Sequence, residues 1–325
     1  MIHTVRRRAV VTGAAGFIGS HLCERLVADG WRVTGIDCFS DYYARKDKLA
    51  NLSGLSGEPA FDLVERDLTC NGWEQALEGA RAVFHLAAQA GVRDSFGTGF
   101  ARYARDNILA TQRVFEAAVA AEAARVVWAS SSSVYGDAET HPCREASTPT
   151  LPRSPYGVTK RACEDLARVY RGRGLGTTGL RYFTVYGPRQ RPDMAIRRIC
   201  EALDSGGRFG MFGDGSQSRD FTFVADAVDA TVRAAHAENP AEIYNIGGGE
   251  EATLSHVIAT LERCAGRPLA IDLLPLQRGD VRRTSADVSL AGRDLGWSPA
   301  VPLHHGLAAQ LTWVQSRRPV SEVVA

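Results

Sequence analysis

Tyr156 and Lys160 stand four residues apart, a spacing that puts both side chains on one face of a helical turn. A cation held there lowers the cost of a phenolate, and a phenol tuned in this way can act as a general base. Composition singles out the lysine. The chain carries 38 Lys and Arg, yet only three are Lys, at positions 46, 48 and 160. Arg is a permanent, planar cation, whereas Lys is a compact one that fits under a ribose and tunes a neighbouring phenol. Alone, the pair is a weak pattern that reads better as an ordinary helix with an exposed lysine, so its weight depends on what surrounds it.

The elements that must position the pair alternate between strands and helices. Ala9–Thr12 is a short β-branched run, read as a buried parallel strand. Gly13-Ala14-Ala15-Gly16-Phe17-Ile18-Gly19 follows, then a helical pattern with Leu22, Leu26 and Val27 on one face. Strand, glycine turn and helix make a cradle in which the backbone approaches a pyrophosphate at a helix N-terminus. A second strand, Arg32–Ile36, ends at Asp37. A carboxylate there accepts hydrogen bonds from an adenosine ribose and repels a 2′-phosphate, so NAD is expected rather than NADP.

Further strands are read at Phe61–Glu65, Ala82–Leu86, Arg125–Ala129 and Gly179–Phe183. Asp67 and Leu68 fall beside an adenine edge, and Leu86-Ala87-Ala88-Gln89 leave room for a cofactor. One long helix is expected from Phe100 to Ala123, carrying Asn107. The fifth strand runs into Ser130-Ser131-Ser132-Ser133, hydroxyls at the carboxyl end of a central strand, where doubly wound sheets bind ligands. His85, in mid-strand, reads as a satisfied core histidine. The fold class expected is therefore α/β, a Rossmann-type doubly wound parallel sheet with a smaller C-terminal α/β substrate domain. The boundary is placed at 1–185 and 186–325, with some chain crossing between the two.

After residue 185 the pattern loosens. Helices are expected at Ala195–Leu203, Ala225–Ala237, Thr253–Cys264 and about His305–Val314. Between them lie basic, turn-rich stretches at 187–192, 213–220 and 276–283. Arginines on loops suggest binding of a local anion, a diphosphate or carboxylate.

Composition excludes several classes. A net charge of +1 gives no general pull toward nucleic acid or membrane. No apolar run reaches membrane-spanning length, and the N-terminus lacks the apolar core of a secretion signal. Seven scattered Cys, with no CxxC, argue for a reducing compartment and against a metal site. A cytoplasmic location is expected.

Taken together, the glycine motif, the serines before Val134-Tyr135-Gly136, Tyr156-Gly157-Val158-Thr159-Lys160, and Gly213-Asp214-Gly215 through Arg219-Asp220 resemble the extended short-chain dehydrogenase/reductases. More narrowly they resemble the nucleotide-sugar 4-epimerases, along nearly the whole chain. That resemblance implies bound NAD, a nucleoside-diphosphate sugar substrate and a homodimer. It assigns Ser131, Tyr156 and Lys160 as the catalytic set, and Phe183 beside the cofactor. The related dehydratases carry Asp-Glu, and the UDP-glucuronate decarboxylases Ser-Glu, where this chain has Ser132-Ser133, so elimination lacks its acid/base pair.

The stretches 85–93 and 181–195 look like those of UDP-glucuronate 4-epimerases. The resemblance then points to Arg93, Ser132, Ser133, Thr184, Arg191, Arg219, Asp280 and Arg282 on the substrate side, with Arg191 facing a C6 carboxylate. Departures are Cys38, where the family often has Asn, and Gln277, where hexose epimerases often carry Arg. A UDP-glucose or UDP-N-acetylglucosamine 4-epimerase, a UDP-glucuronate decarboxylase and a non-catalytic NAD-binding sensor remain as alternatives.

Overall fold

The computed structural model describes residues 7–275 and 281–317. Its strands are β1 Arg8–Thr12, β2 Arg32–Asp37, β3 Phe61–Glu65, β4 Ala82–His85, β5 Val126–Ser131, β6 Thr177–Tyr182, β7 Thr184–Tyr186, β8 Arg208–Phe212, β9 Ser218–Phe223, β10 Ile243–Ile246, β11 Glu251–Thr253 and β12 Ala270–Leu274. Its helices are α1 Phe17–Ala28, α2 Arg45–Asn51, α3 Phe100–Tyr103, α4 Ala110–Ala120, α5 Pro155–Gly172, α6 Ala195–Ser205, α7 Val224–His236, α8 Leu254–Ala265, α9 Ser289–Leu295 and α10 Leu303–Gln315.

Seven strands form one parallel sheet in the order β10-β6-β5-β4-β1-β2-β3. Strands covered on both faces are buried along their whole length rather than at alternate residues. All four residues of β4 and all six of β6 are buried accordingly, whereas β3, at the edge, is largely exposed. The chain works outward from β1 to β3, then crosses back to β4 on the other side of β1. That reversal opens a crevice at the carboxyl ends of β1 and β4.

The smaller unit packs α6, α8 and α10 around Ile196, Ile199, Leu203, Val257, Leu261, Leu307 and Leu311. It holds a three-stranded sheet, β11-β9-β7, and a pair, β12-β8. The 213–220 stretch, read as a turn, is a turn only to Gln217; Ser218-Arg219-Asp220 open β9. Two elements after residue 185 return to the first layer. β10 pairs in parallel with β6, Ile243 opposite Gly179, and α7 packs on α1, where Arg25 Nη2 donates to Asp229 Oδ1 at 3.3 Å.

The single helix expected over Phe100–Ala123 is instead α3 and α4 separated by a π-helical turn, Ala104–Leu109. Such turns insert one residue and re-aim a side chain. Here the side chain is Asn107, buried, with Oδ1 accepting from the Gln89 N–H at 2.8 Å and Nδ2 donating to the Gln89 carbonyl at 3.1 Å and Thr159 Oγ1 at 2.9 Å.

Candidate active site

The crevice is built first by glycines. Gly13 has φ +71, and a Cβ there would stand 2.8 Å from the Ala87 backbone nitrogen. A Cβ at Gly19 would run into the Gly13 carbonyl oxygen, so α1 packs against the turn only without one. α1 begins at Gly16 with no side-chain cap and no acidic residue in its first turn. Its first N–H groups are thus left for an anion, and the helix dipole favours one. Asp37, buried at the end of β2, accepts from Ala15 N at 3.0 Å (Oδ2) and Phe39 N at 2.8 Å (Oδ1). Each carboxylate oxygen keeps a lone pair for a ribose hydroxyl.

The first turn of α5 sets Tyr156. Ser154 accepts from Gly157 N at 3.1 Å and Pro155 occupies the first helical position, a start signal in both parts. A Cβ on Gly157 would lie 2.6 Å from the Ser133 carbonyl oxygen, so this glycine lets α5 dock on the serine turn. Lys160 is buried, and its Nζ donates to the Ala129 carbonyl oxygen at 2.9 Å. The Tyr156 ring meets Tyr103 edge-on, centroids 6.1 Å apart. Ser131 Oγ accepts from Ser133 N at 3.1 Å, which leaves its own proton to donate.

One continuous cleft is lined by Gly13, Gly16, Phe17, Ile18, Gly19, Asp37, Asp67, Leu68, Leu86, Ala87, Ala88, Gln89 and Phe183 on the side expected to hold the cofactor. The same cleft takes in Ser131, Ser132, Ser133, Tyr156, Lys160, Thr184 and Arg191. Asn107 lies behind the wall, holding Gln89. Arg93, Arg219 and Arg282 do not line the cleft. The Arg93 guanidinium lies 4.2 Å from the Phe212 ring centroid, and Arg219 Nη1 donates to the Ser218 carbonyl at 2.8 Å. Arg282 is exposed, its backbone N–H on Asp137 Oδ1 at 3.3 Å. Asp280 and Gln277 lie outside the described residues.

Arg191, expected to face a C6 carboxylate, is held on one edge by a carboxylate of its own chain. Its Nε and Nη2 donate to Asp193 Oδ1 and Oδ2, each at 3.0 Å. Burial works against the Arg191 cation, and Asp193 beside it more than offsets this, so its pKa stands above the ordinary arginine value.

Other lining residues escaped the sequence reading. Lys48, on α2, is buried with Nζ donating to Ser40 O at 2.8 Å and Ser40 Oγ at 3.1 Å. The scarcity of lysine that pointed to Lys160 points equally to Lys48. Tyr42 and Tyr43 also line the cleft, and Tyr43 Oη is buried with no partner. A hydroxyl in that state fits a bound acceptor. The glycine cradle, the uncapped α1 terminus, Asp37 and this hydroxyl together suit a dinucleotide.

A family model described as the NAD dependent epimerase/dehydratase family matches residues 9–247. The chain belongs to that family. It is 41% identical over 312 residues to the uncharacterized UDP-glucose epimerase YtcB of Bacillus subtilis, covering 95% of this chain and 98% of that protein. It is 36% identical to a UDP-glucuronate 4-epimerase of Thermodesulfobacterium geofontis, covering 94% and 95%. Among solved structures, that of a UDP-glucuronic acid 4-epimerase from Bacillus cereus with UDP-glucuronic acid and NAD superposes with a TM-score of 0.91 at 38% identity, covering 95% of this chain and 99% of that one.

This member of the epimerase/dehydratase family carries a buried polar network behind its serines. Glu164, one turn after Lys160, accepts from Ser130 Oγ at 2.7 Å and from Arg181 Nε and Nη2 at 2.8 and 2.7 Å. Arg181 Nη1 donates to Tyr135 Oη at 2.7 Å, and Tyr135 to Asn245 Oδ1 at 2.8 Å. His85 is the core histidine expected. It bonds Thr12 Oγ1 at 2.8 Å and Thr111 Oγ1 at 3.0 Å, and burial, then nearby Lys160, pushes its pKa down to about 3.

Proposed function

We propose that this chain is a C4 epimerase of a UDP-sugar, converting UDP-glucuronate to UDP-galacturonate and back. The observation that carries the reading is Arg191 in one cleft with Tyr156 and Lys160, beside the hydroxyls of Thr184, Ser132 and Ser133 and with no carboxylate at 132 or 133. Similarity to UDP-glucuronate 4-epimerases supports it.

In this reading residues 1–185 hold NAD and residues 186–325 supply the sugar-nucleotide side, with β10 and α7 crossing back. NAD, when bound, takes the C4 hydride and returns it to the opposite face of the transient 4-keto sugar. Tyr156 Oη takes the proton from the C4 hydroxyl and later restores one, with Ser131 Oγ donating to the reacting oxygen. Lys160, pinned to Ala129, keeps a positive charge by the phenolate. Rotation of the 4-keto sugar needs an anchor away from Tyr156, and the nucleotide diphosphate is that pivot. A 4-keto uronate is a β-keto acid, which loses CO₂ when its C–CO₂ bond aligns with the carbonyl π system. Arg191, with Thr184, Ser132 and Ser133, holds the carboxylate out of that alignment. All seven cysteines are free, which suits the cytoplasmic location expected, and a homodimer goes with the same reading.

A neutral-sugar reading has one observation in its favour: one edge of the Arg191 guanidinium is already taken by Asp193. The test is incubation of the purified protein with UDP-glucuronate and NAD, following C4 configuration and CO₂ by NMR. UDP-galacturonate without CO₂ is expected. Inertness toward UDP-glucuronate, with turnover of UDP-glucose or UDP-N-acetylglucosamine, would overturn the uronate assignment.

A further inference from the structure

Arg191 spends one edge of its guanidinium on a carboxylate of its own chain. The two bonds to Asp193 use Nε and Nη2 and both carboxylate oxygens. Tyr42 Oη adds a third hold, donating to Asp193 Oδ2 at 3.2 Å. The Tyr42 ring centroid lies 5.8 Å from the Arg191 guanidinium carbon. Gly91 has φ +98, and a Cβ there would come within 2.7 Å of Tyr42 Oη, so this glycine keeps the hydroxyl's place. The cluster thus ties the segment after β2 to the segment after β7. Within it Asp193 is the more exposed partner, 39% against 21% for Arg191.

We propose that Asp193 is a resident counter-ion which a C6 carboxylate must share or displace at Arg191, making Asp193 a specificity-determining residue for uronate against neutral sugars. The inference rests on the reading of Arg191 given under Proposed function. A largely buried guanidinium with no partner is costly, so Asp193 lets a neutral hexose occupy the site without stranding that charge. A uronate arrives differently. If Asp193 stays, the incoming carboxylate takes the remaining Nη1/Nη2 edge with a like charge a few ångströms away. If Asp193 turns out to solvent, two bonds and the Tyr42 hold are lost. Either way the resident carboxylate weakens uronate binding and does not weaken neutral-sugar binding, so it sets the ratio between them.

The test uses full-length protein carrying Tyr156→Phe, with NAD added, so that ligand is not converted during calorimetric titration. Dissociation constants for UDP-glucuronate and UDP-glucose are measured with and without Asp193→Asn, which keeps the size and one acceptor oxygen while removing the charge. The uronate is expected to bind on the order of tenfold tighter, with UDP-glucose unchanged or weaker. Tyr42→Phe, which frees one hold on Asp193, should shift the ratio the same way by less, and it decides the matter if Asp193→Asn does not fold. An unmoved ratio, or weaker uronate binding, means that Asp193 only orients Arg191 and overturns the proposal. Failure of the wild-type protein to epimerise UDP-glucuronate strikes the proposed function instead, and the ratio of dissociation constants still judges Asp193.

Discussion

Lys160 Nζ donates to the Ala129 carbonyl oxygen at 2.9 Å, so a residue of α5 is pinned to the end of β5. The ammonium keeps two further protons for a ribose or the Tyr156 oxygen. A guanidinium cannot replace it, being planar and longer. Lys160→Arg should therefore cut kcat by about 10²-fold or more despite its charge, and lower the NAD content of purified protein. Tyr156→Phe should abolish turnover while retaining NAD. Absorbance of extracted cofactor and NMR rates check both, and near-normal turnover by Tyr156→Phe would remove that residue as the base.

Arg191 offers a planar fork that an ammonium lacks. Arg191→Lys should raise KM for UDP-glucuronate about tenfold with a smaller effect on UDP-glucose, and Arg191→Ala should raise it further or release CO₂ during turnover. Kinetics on both substrates with a ¹³C-labelled carboxyl group follow the two effects. Equal losses on both sugars would place Arg191 outside the carboxylate contact.

The parts that the sequence foretold have strong local patterns. β1 and β5 are covered on both faces, so Val10-Val11 and Val126-Val127 stand out as apolar runs, and Tyr156 and Lys160 share a helical face by spacing alone. What escaped is non-local. β10 has four residues, Ile-Tyr-Asn-Ile, and nothing in them announces a return to β6 across some sixty positions. Tyr42 meets Asp193 across 151 residues, which no periodicity can encode. The π turn was hidden because its residues read as ordinary helix; only the Asn107 bonds to Gln89 and Thr159 reveal why it is there.

Glu164 and Arg181 are paired with side-chain exposures of 3% and 2%. Breaking such a pair strands a buried charge at about 3–5 kcal/mol. Glu164→Gln should cost roughly that much in urea unfolding, and should also lower kcat, because a single amide oxygen must then serve both Arg181 and Ser130, next to Ser131. The double change Glu164→Gln with Arg181→Met should recover part of the stability by removing the stranded cation. If the single variant matches wild type in stability, the network contributes little to holding α5 on β5.

His85 supplies the pH dependence. Its folded pKa is pushed down to about 3, first by burial and then by Lys160, whereas in the unfolded chain it is ordinary, about 6.5. Below that value the unfolded chain binds a proton that the folded chain refuses, so stability rises with pH through this window and is lost as pH falls. From pH 6.5 to 4.5 the loss from this one group approaches about 2–3 kcal/mol. Asp220 works in the opposite sense. Burial raises it to about 6 against bonds from Gly248 N and Ala286 N, so its contribution is present at low pH and is lost as pH rises from about 4 to 6. His85→Asn removes the histidine contribution and leaves that of Asp220. Urea unfolding at pH 7 and 4.5 should show the wild-type protein losing about 2 kcal/mol more than the variant on acidification. Equal losses would mean that His85 becomes protonated inside the folded protein.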